Sequence, residues 1–381
     1  VIALGAGMSE ALTAQVGNAL GENQKEKAAH LAQNGLLFSL FLCIILTIFG
    51  TSIVPFLMQH LGAHGEYLNQ AVGYTNTIVM GTLLFVLTFF INGLLNSVGD
   101  MISFRNILIV SFFINIVLDY AFVKLGYGVN GIAYATLITE AISMLYLLYR
   151  LNKTSLLDNI KQFKIDLPQF WSLTTQGIPP SANMIFMSVG MYILTYYAST
   201  HGDNVIAALG VGMRIEQLAL MPAIGINMAV LSIASQNSGA KLYLRVEEAV
   251  KVGLHYGAYI TIMGASLLFV GSEFFMGLFS KNPEVIKEGA IYLYIEALLI
   301  FPFVVIFIYV AVLQAIQKPK FIFYFSLIRQ IILPLLFLEI VSYYFHSSLS
   351  VWIVIAIIVI LSSVVVWRYT QNKISQLKAL S

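Results

Sequence analysis

The chain has 381 residues, of which 59% are hydrophobic and only 10% charged, with a mean hydropathy of +0.85. A soluble domain carries roughly 25% charged residues, so a soluble globular fold is excluded and lipid is the expected solvent. A net charge of +2, with no basic stripe interleaved with aromatics, excludes nucleic acid as a partner.

Apolar stretches separated by short polar breaks predict eleven helices, from the N-terminus to about 20, then at about 31–59, 67–98, 104–124, 129–150, 168–200, 205–235, 247–279, 285–316, 321–345 and 350–370. Several exceed the roughly 20 residues that span a bilayer and must tilt or kink, with Pro55, Pro179-Pro180, Pro222, Pro302 and Pro334 the expected kink sites. Cys43, the single cysteine, sits in an apolar run and reads as a small buried residue. Residues 1–150 form an N-terminal half, 151–167 a basic linker and 168–381 a C-terminal half. Fifteen Lys and Arg residues fall on one set of alternate loops and three on the other. That bias predicts a multi-pass protein of the cell (inner or plasma) membrane with a cytoplasmic C-terminus.

Sliding the sequence against itself by 218 residues places Gly7, Ala11 and Gly21 on Gly225, Ala229 and Gly239, and Tyr74, Phe85 and Phe89 on Tyr292, Phe303 and Phe307. A constant offset across several helices predicts two six-helix halves related by a pseudo-twofold axis along the membrane normal. By the same offset the chain is expected to lack about 50 residues at its start, one whole helix and part of the next. The predicted class is therefore all-α and polytopic, with 11 visible of 12 transmembrane helices, built for alternating access to a cavity between halves.

Three stretches carry a family likeness. Residues 209–240, LGVGMRIEQLALMPAIGINMAVLSIASQNSGA, hold an Arg-Ile, a Met-Pro, a Gly and a closing Gln-Asn-x-Gly-Ala. Residues 115–143 hold Asn-x-x-Leu-Asp, then Gly-x-x-Gly, then Ala-x-Ala-Thr, and residues 328–338 read IRQIILPLLFL ahead of Trp352. On these residues the chain resembles the multidrug and toxic compound extrusion (MATE) transporters. The resemblance implies an antiporter in which H⁺ or Na⁺ enters as an organic, often cationic, compound leaves. It further implies a coupling acid on the missing first helix, with polar residues of the fifth and sixth helices around it. Another branch of the family places a Glu on the seventh helix and an Asp on the tenth. Those positions align here with Met187 and Pro302, which shifts the expected cation site toward the N-terminal half.

Charged residues inside spans are functional candidates by default. Asn115 and Asp119 share a helix face at i, i+4, a donor set for Na⁺ or a protonatable site, and Thr136 and Glu140 repeat that spacing on the next helix. These four are the candidate cation-coupling residues. In the second half, Arg214 lies at a depth similar to Glu296, and Glu216 to Arg329, so cross-helix ion pairs or gating contacts are expected. Candidate cavity residues are Asn92 and Asn96 at i, i+4, with Phe85, Phe89, Phe186, Met187, Tyr192 and Met213, since aromatic and Met side chains suit flat cations. The chain carries no Gly-rich phosphate loop and no His-Glu-x-x-His motif. It is therefore expected to be no enzyme and to hold no cofactor beyond the coupling ion. Expected partners are small organic cations and the lipid bilayer, and a monomer is expected. The alternative within the superfamily is a lipid-linked saccharide flippase, which would need several cavity cations. From another class, a channel or membrane scaffold would lack the two-half repeat.

Overall fold

A chain this apolar must satisfy its backbone internally, and helices do so in lipid. The computed structural model describes residues 1–62, 64–157, 165–345 and 347–380, and among them the chain is helical, with no strand. The elements are α1 (Ile2–Gly21), α2 (Lys25–His60), α3 (Gly65–Met80), α4 (Thr82–Ser97), α5 (Ile102–Lys124), α6 (Gly128–Leu151), α7 (Leu167–Ser199), α8 (Asp203–Gly239), α9 (Tyr243–Gly277) and α10 (Pro283–Ala315). There follow α11 (Lys320–Leu327), a π-helical turn (Ile328–Ile332), α12 (Leu333–Tyr344) and α13 (Ser348–Ala379). Most of the expected linker, residues 158–164, lies outside the described residues.

Among the described residues eight helices are long and apolar enough to cross a membrane, or nine if α3 and α4, bent by 41° at Gly81, are one span. This is a multi-pass membrane protein. The helices α1 and α7 stand where the sequence places them but fall outside that apolar set. For α1 the reason is composition: Ser9, Thr13, Gln15 and Asn18 lower its hydropathy, and all four are buried against protein. Two predicted helices are broken. The stretch 67–98 divides at Gly81, and 321–345 passes through the π-turn immediately before Pro334. Proline lacks an N–H, and the wider turn absorbs the carbonyls it leaves free.

By packing, the chain divides into two units, Val1–Ser181 and Ala182–Ser381, a division that falls inside α7 beside Pro179-Pro180 and later than the linker. In the first unit α1 lies tightly on α4. The Ser9 hydroxyl donates to the Phe89 carbonyl at 2.5 Å and the Thr13 hydroxyl to the Gly93 carbonyl at 2.9 Å. Small residues permit this approach, and a Cβ on Gly93 would come 2.4 Å from Ser9 Oγ. Leu12, Val16, Phe90 and Leu94 fill the core beneath. In the second unit α10 is the most buried span, and Tyr292, Leu293, Ala297 and Trp352 centre its core.

The turn before α5 is tied down by Asp100. Its carboxylate accepts from Ser103 N–H at 3.0 Å, from the Ser103 hydroxyl at 2.7 Å and from Arg150 at 2.9 Å. Partial burial opposes its ionisation, but the Ser103 and Arg150 hydrogen bonds outweigh that and hold the carboxyl below its ordinary value. A lowered folded-state value means stability present at neutral pH and lost only as pH falls through and below the usual carboxylate range. Asp100→Ala is expected to lower unfolding stability at pH 7 by about 1–2 kcal/mol, the scale of a lost helix cap, as read by thermal unfolding in detergent.

Candidate functional site

The second unit holds an apolar cavity of about 400 Å³ lined by two acids of its spans, Glu216 and Glu296. Met187 and Met191 of α7, Met213 and Met221 of α8, and Phe303 and Phe307 of α10 form much of its wall. Unbranched methionine and aromatic faces adapt to flat apolar guests of varied outline.

Polar groups enter at one level. Glu216 is placed midway along α8, and its carboxylate accepts a hydrogen bond of 2.5 Å from the Tyr292 hydroxyl of α10. Gly212, one turn before Glu216, leaves room for that ring, since a Cβ there would stand 2.5 Å from Tyr292 Cδ1. Trp352 of α13 meets the same ring edge-on, with centroids 5.2 Å apart. Glu296 follows Tyr292 by one turn, is 5% exposed, and has one carboxylate oxygen that is buried without a hydrogen-bond partner. One phenol therefore stands between two carboxylates in a cavity otherwise lined by sulfur and rings.

The π-turn supplies the opposite wall. Its extra residue per turn rotates Arg329 and Gln330 relative to a regular helix. Gln330 donates to Asn183 Oδ1 at 2.8 Å, and Ser326 donates to the same oxygen at 2.7 Å. Gly190 permits α7 to close on the turn, because a Cβ there would lie 2.8 Å from the Gln330 carbonyl. The Arg329 guanidinium lies over the Phe325 ring, 5.9 Å from its centroid, and its Nε is buried without a partner.

The expected pairings are not formed. Ion pairs among the described residues are Lys27–Glu22, His30–Asp166, Arg150–Asp100 and Lys378–Glu247, all near helix ends. Arg214 is exposed and outside the cavity lining, while Glu216 is held by Tyr292 rather than by Arg329. Depth along a helix sets the level of a side chain but not its azimuth, and that is where the pairing expectation departs from the structure.

Of the expected cavity residues, Met187 and Met213 line the pocket. Phe186 packs on Phe323 with centroids 5.4 Å apart, and Tyr192 is exposed away from it. In the first unit Asn92 and Asn96 are buried on α4, and Phe85 and Phe89 are half-buried on the same helix. The bond from Ser111 to Ser143, 2.7 Å, sets α5 against α6. Asn115 continues the buried α5 stripe of Ser103, Ile107 and Ser111, and one oxygen of Asp119 is buried without a partner. Thr136 and Glu140 flank the buried α6 stripe of Ala135, Thr139 and Ser143, and the Thr136 hydroxyl is turned back to its own helix at Ile132. Among the described residues no hydrogen bond joins the α5 pair to the α6 pair. Sequence reading missed Tyr292 as the link between acids, although its i, i+4 spacing to Glu296 was available as a signal.

Comparison with known proteins agrees with the fold. The MatE family model matches residues 1–121 and 179–340, more than half of the chain. The chain is 26% identical over 283 residues to the probable multidrug resistance protein YoeA of Bacillus subtilis (strain 168), covering 71% of this chain and 61% of that protein. It is 23% identical over 296 residues to the probable multidrug resistance protein NorM of Thermotoga maritima, covering 75% and 63%. The chain thus spans under two thirds of the length of both relatives. Among solved structures it superposes on a MOP superfamily transporter from Pyrococcus furiosus with TM-score 0.93 and 25% identity, covering 99% of this chain and 85% of that one. That structure is described as having a binding pocket of reverse polarity that suggests a different function.

The Tyr292 hydroxyl serves a carboxylate in a dry setting, so its removal leaves that acceptor unsatisfied. Tyr292→Phe is expected to cost about 1–3 kcal/mol of stability, and less in a Glu216→Gln background. A double-mutant cycle by thermal unfolding gives the coupling, and zero coupling would contradict the assignment.

Proposed function

We infer function from an established premise: the chain belongs to the MatE family. The reading the site supports best is export of amphipathic organic compounds, often cations, in exchange for H⁺ or Na⁺ by alternating access. One observation carries it. Glu216 and Glu296 flank a single phenol in a cavity walled by methionine and phenylalanine, and among the described residues neither is ion-paired.

Two anions held in such a setting need compensating charge. A proton or Na⁺ can supply it, and so can an organic cation seated against the Met and Phe walls. Because both compete for the same carboxylates, loading one expels the other, which is the logic of antiport. Tyr292 orients Glu216 and can pass its hydrogen bond between the acids as the charge changes. A second seat for the coupling ion is proposed in the first unit at Asn115 and Asp119, with Thr136 and Glu140 beside it. The relatives named as probable multidrug resistance proteins support the substrate class. The Lys and Arg bias supports a cell-membrane location with a cytoplasmic C-terminus. A flippase for lipid-linked saccharides is disfavoured because the cavity offers one guanidinium, Arg329, beside two carboxylates.

The test is ethidium efflux from cells expressing the full-length protein, with the H⁺ or the Na⁺ gradient collapsed in turn. Collapse of one gradient is expected to stop efflux, and efflux indifferent to both would sink the coupling. Glu296→Gln is expected to slow efflux roughly tenfold or more at equal protein level, the scale of losing a charge-assisted contact. Asp119→Asn with undiminished efflux would remove the first-unit seat while leaving the second intact.

A further inference from the structure

The cavity that holds Glu216 and Glu296 contains one more polar side chain whose hydrogen bonding is incomplete. Gln330 of the π-turn is 6% exposed and lines the same cavity. Its side-chain nitrogen donates to Asn183 Oδ1 of α7 at 2.8 Å. The Ser326 hydroxyl, one turn earlier, donates to that same oxygen at 2.7 Å. The Asn183 oxygen takes both donors, and the Gln330 amide is held by its nitrogen end. Its oxygen, Oε1, is buried and has no hydrogen-bond partner.

The backbone fixes this amide too. Gly190 of α7 lets the π-turn close in, since a Cβ there would lie 2.8 Å from the Gln330 carbonyl. Arg329, its neighbour in sequence, lays its guanidinium over the Phe325 ring at 5.9 Å and does not serve Oε1. The acceptor is therefore both fixed and unmet. Burying an amide oxygen without a donor costs about 1–3 kcal/mol, and methionine and phenylalanine walls have no strong donor to offer.

This polar corner belongs to the second unit alone. The 218-residue offset sets Leu108 and Phe112 against Ser326 and Gln330, and both are exposed apolar residues. In the first unit the start of α7 packs on α1 and α2. Gln169 donates to Gln15 at 2.6 Å, Asp166 meets His30 at 2.9 Å, and the Phe170 and Phe38 rings are 5.3 Å apart. The same offset carries that surface to α8 and α9, and not to the π-turn.

A guest can complete the acceptor. Its cationic centre is compensated by Glu216 and Glu296, and its ring system lies on the methionine and phenylalanine walls. A second group on the guest then has to donate to Gln330, which an N–H does and an N-alkyl group cannot. A site built to bond such a group rejects the analogue that lacks it, because its own buried acceptor then stays unpaired.

We propose that Gln330 is a specificity-determining residue, which selects flat organic cations carrying an N–H donor on the ring system over N-alkylated analogues of the same charge. Asn183 and Ser326 are positioning residues that hold its oxygen toward the cavity. This selection rests on the cavity being the seat of exported cations, and it adds a rule for which cations are held there.

Proflavine and acridine orange share a tricyclic ring system with a protonated ring nitrogen at neutral pH. The ring amines of the first carry hydrogens, and those of the second carry methyl groups. Equilibrium binding of each dye to the purified full-length protein in detergent is read by fluorescence polarisation. The wild type is expected to bind proflavine more tightly. Gln330→Met, which roughly keeps the volume and removes the acceptor, is expected to lower the proflavine-to-acridine orange ratio roughly tenfold. Ser326 still serves Asn183 in that variant. Asn183→Ala, which frees the Gln330 amide to turn, is expected to lower the ratio as well. A wild-type ratio near one, or a preference for acridine orange, would overturn the selection while leaving the cavity as a cation seat, with no recourse to any variant. So would a proflavine preference that Gln330→Met leaves unmoved, since shape and not hydrogen bonding would then be its cause. Binding of neither dye would sink the reading of the cavity itself, and the selection with it.

Discussion

Hydrocarbon offers no hydrogen bonds, and the arrangement of this protein follows from that shortage. Each backbone group must be satisfied within its own helix, and each polar side chain must find a partner inside the protein or reach an end of a span. The consequence is visible at α1, whose Ser9 and Thr13 hydroxyls spend themselves on α4 carbonyls at Phe89 and Gly93. These bonds draw two backbones together where only small residues fit. At the helix ends the rule relaxes, and there the ion pairs collect, among them Arg150 with Asp100 and Lys378 with Glu247.

Against that background the acids of the second unit stand out. Glu296 is buried and Glu216 half-buried in apolar surroundings, with Tyr292 between them and, among the described residues, no counter-charge at ion-pair distance. Such an arrangement is costly unless something else compensates it. A purely structural role would be met more cheaply by an ion pair or by apolar residues of similar volume. Packing holds the arrangement in place: Gly212 and Trp352 fix the phenol, and the π-turn places Arg329 and Gln330 across the cavity. The cost is consistent with a site that is completed only when an ion or a guest arrives.

Much of the fold could be read from residue order alone, because apolar runs, breaks and loop charges report directly on spans. The helices expected at 104–124, 129–150 and 205–235 match α5, α6 and α8 closely. What could not be read were the breaks inside spans. Gly81 and the turn before Pro334 depend on what packs beside them, and an apolar run looks the same whether it bends or not. The site was legible in composition but not in pairing. Glu216, Glu296, Arg329, Met187 and Met213 were all singled out, and all line one cavity. Their partners were missed because which side of a helix meets which neighbour is decided by tertiary packing, as Arg214 demonstrates by lying exposed outside the cavity lining.

The central claim is that the Glu216–Glu296 pair is shared between the coupling ion and the transported cation. Equilibrium binding of ethidium to the purified full-length protein, measured across pH and Na⁺ concentration, addresses it directly. The account predicts that ethidium binds more tightly as H⁺ or Na⁺ is withdrawn, and that a Glu216→Gln, Glu296→Gln double variant loses this dependence. Affinity that is indifferent to both ions, or a dependence that persists in the double variant, would contradict it.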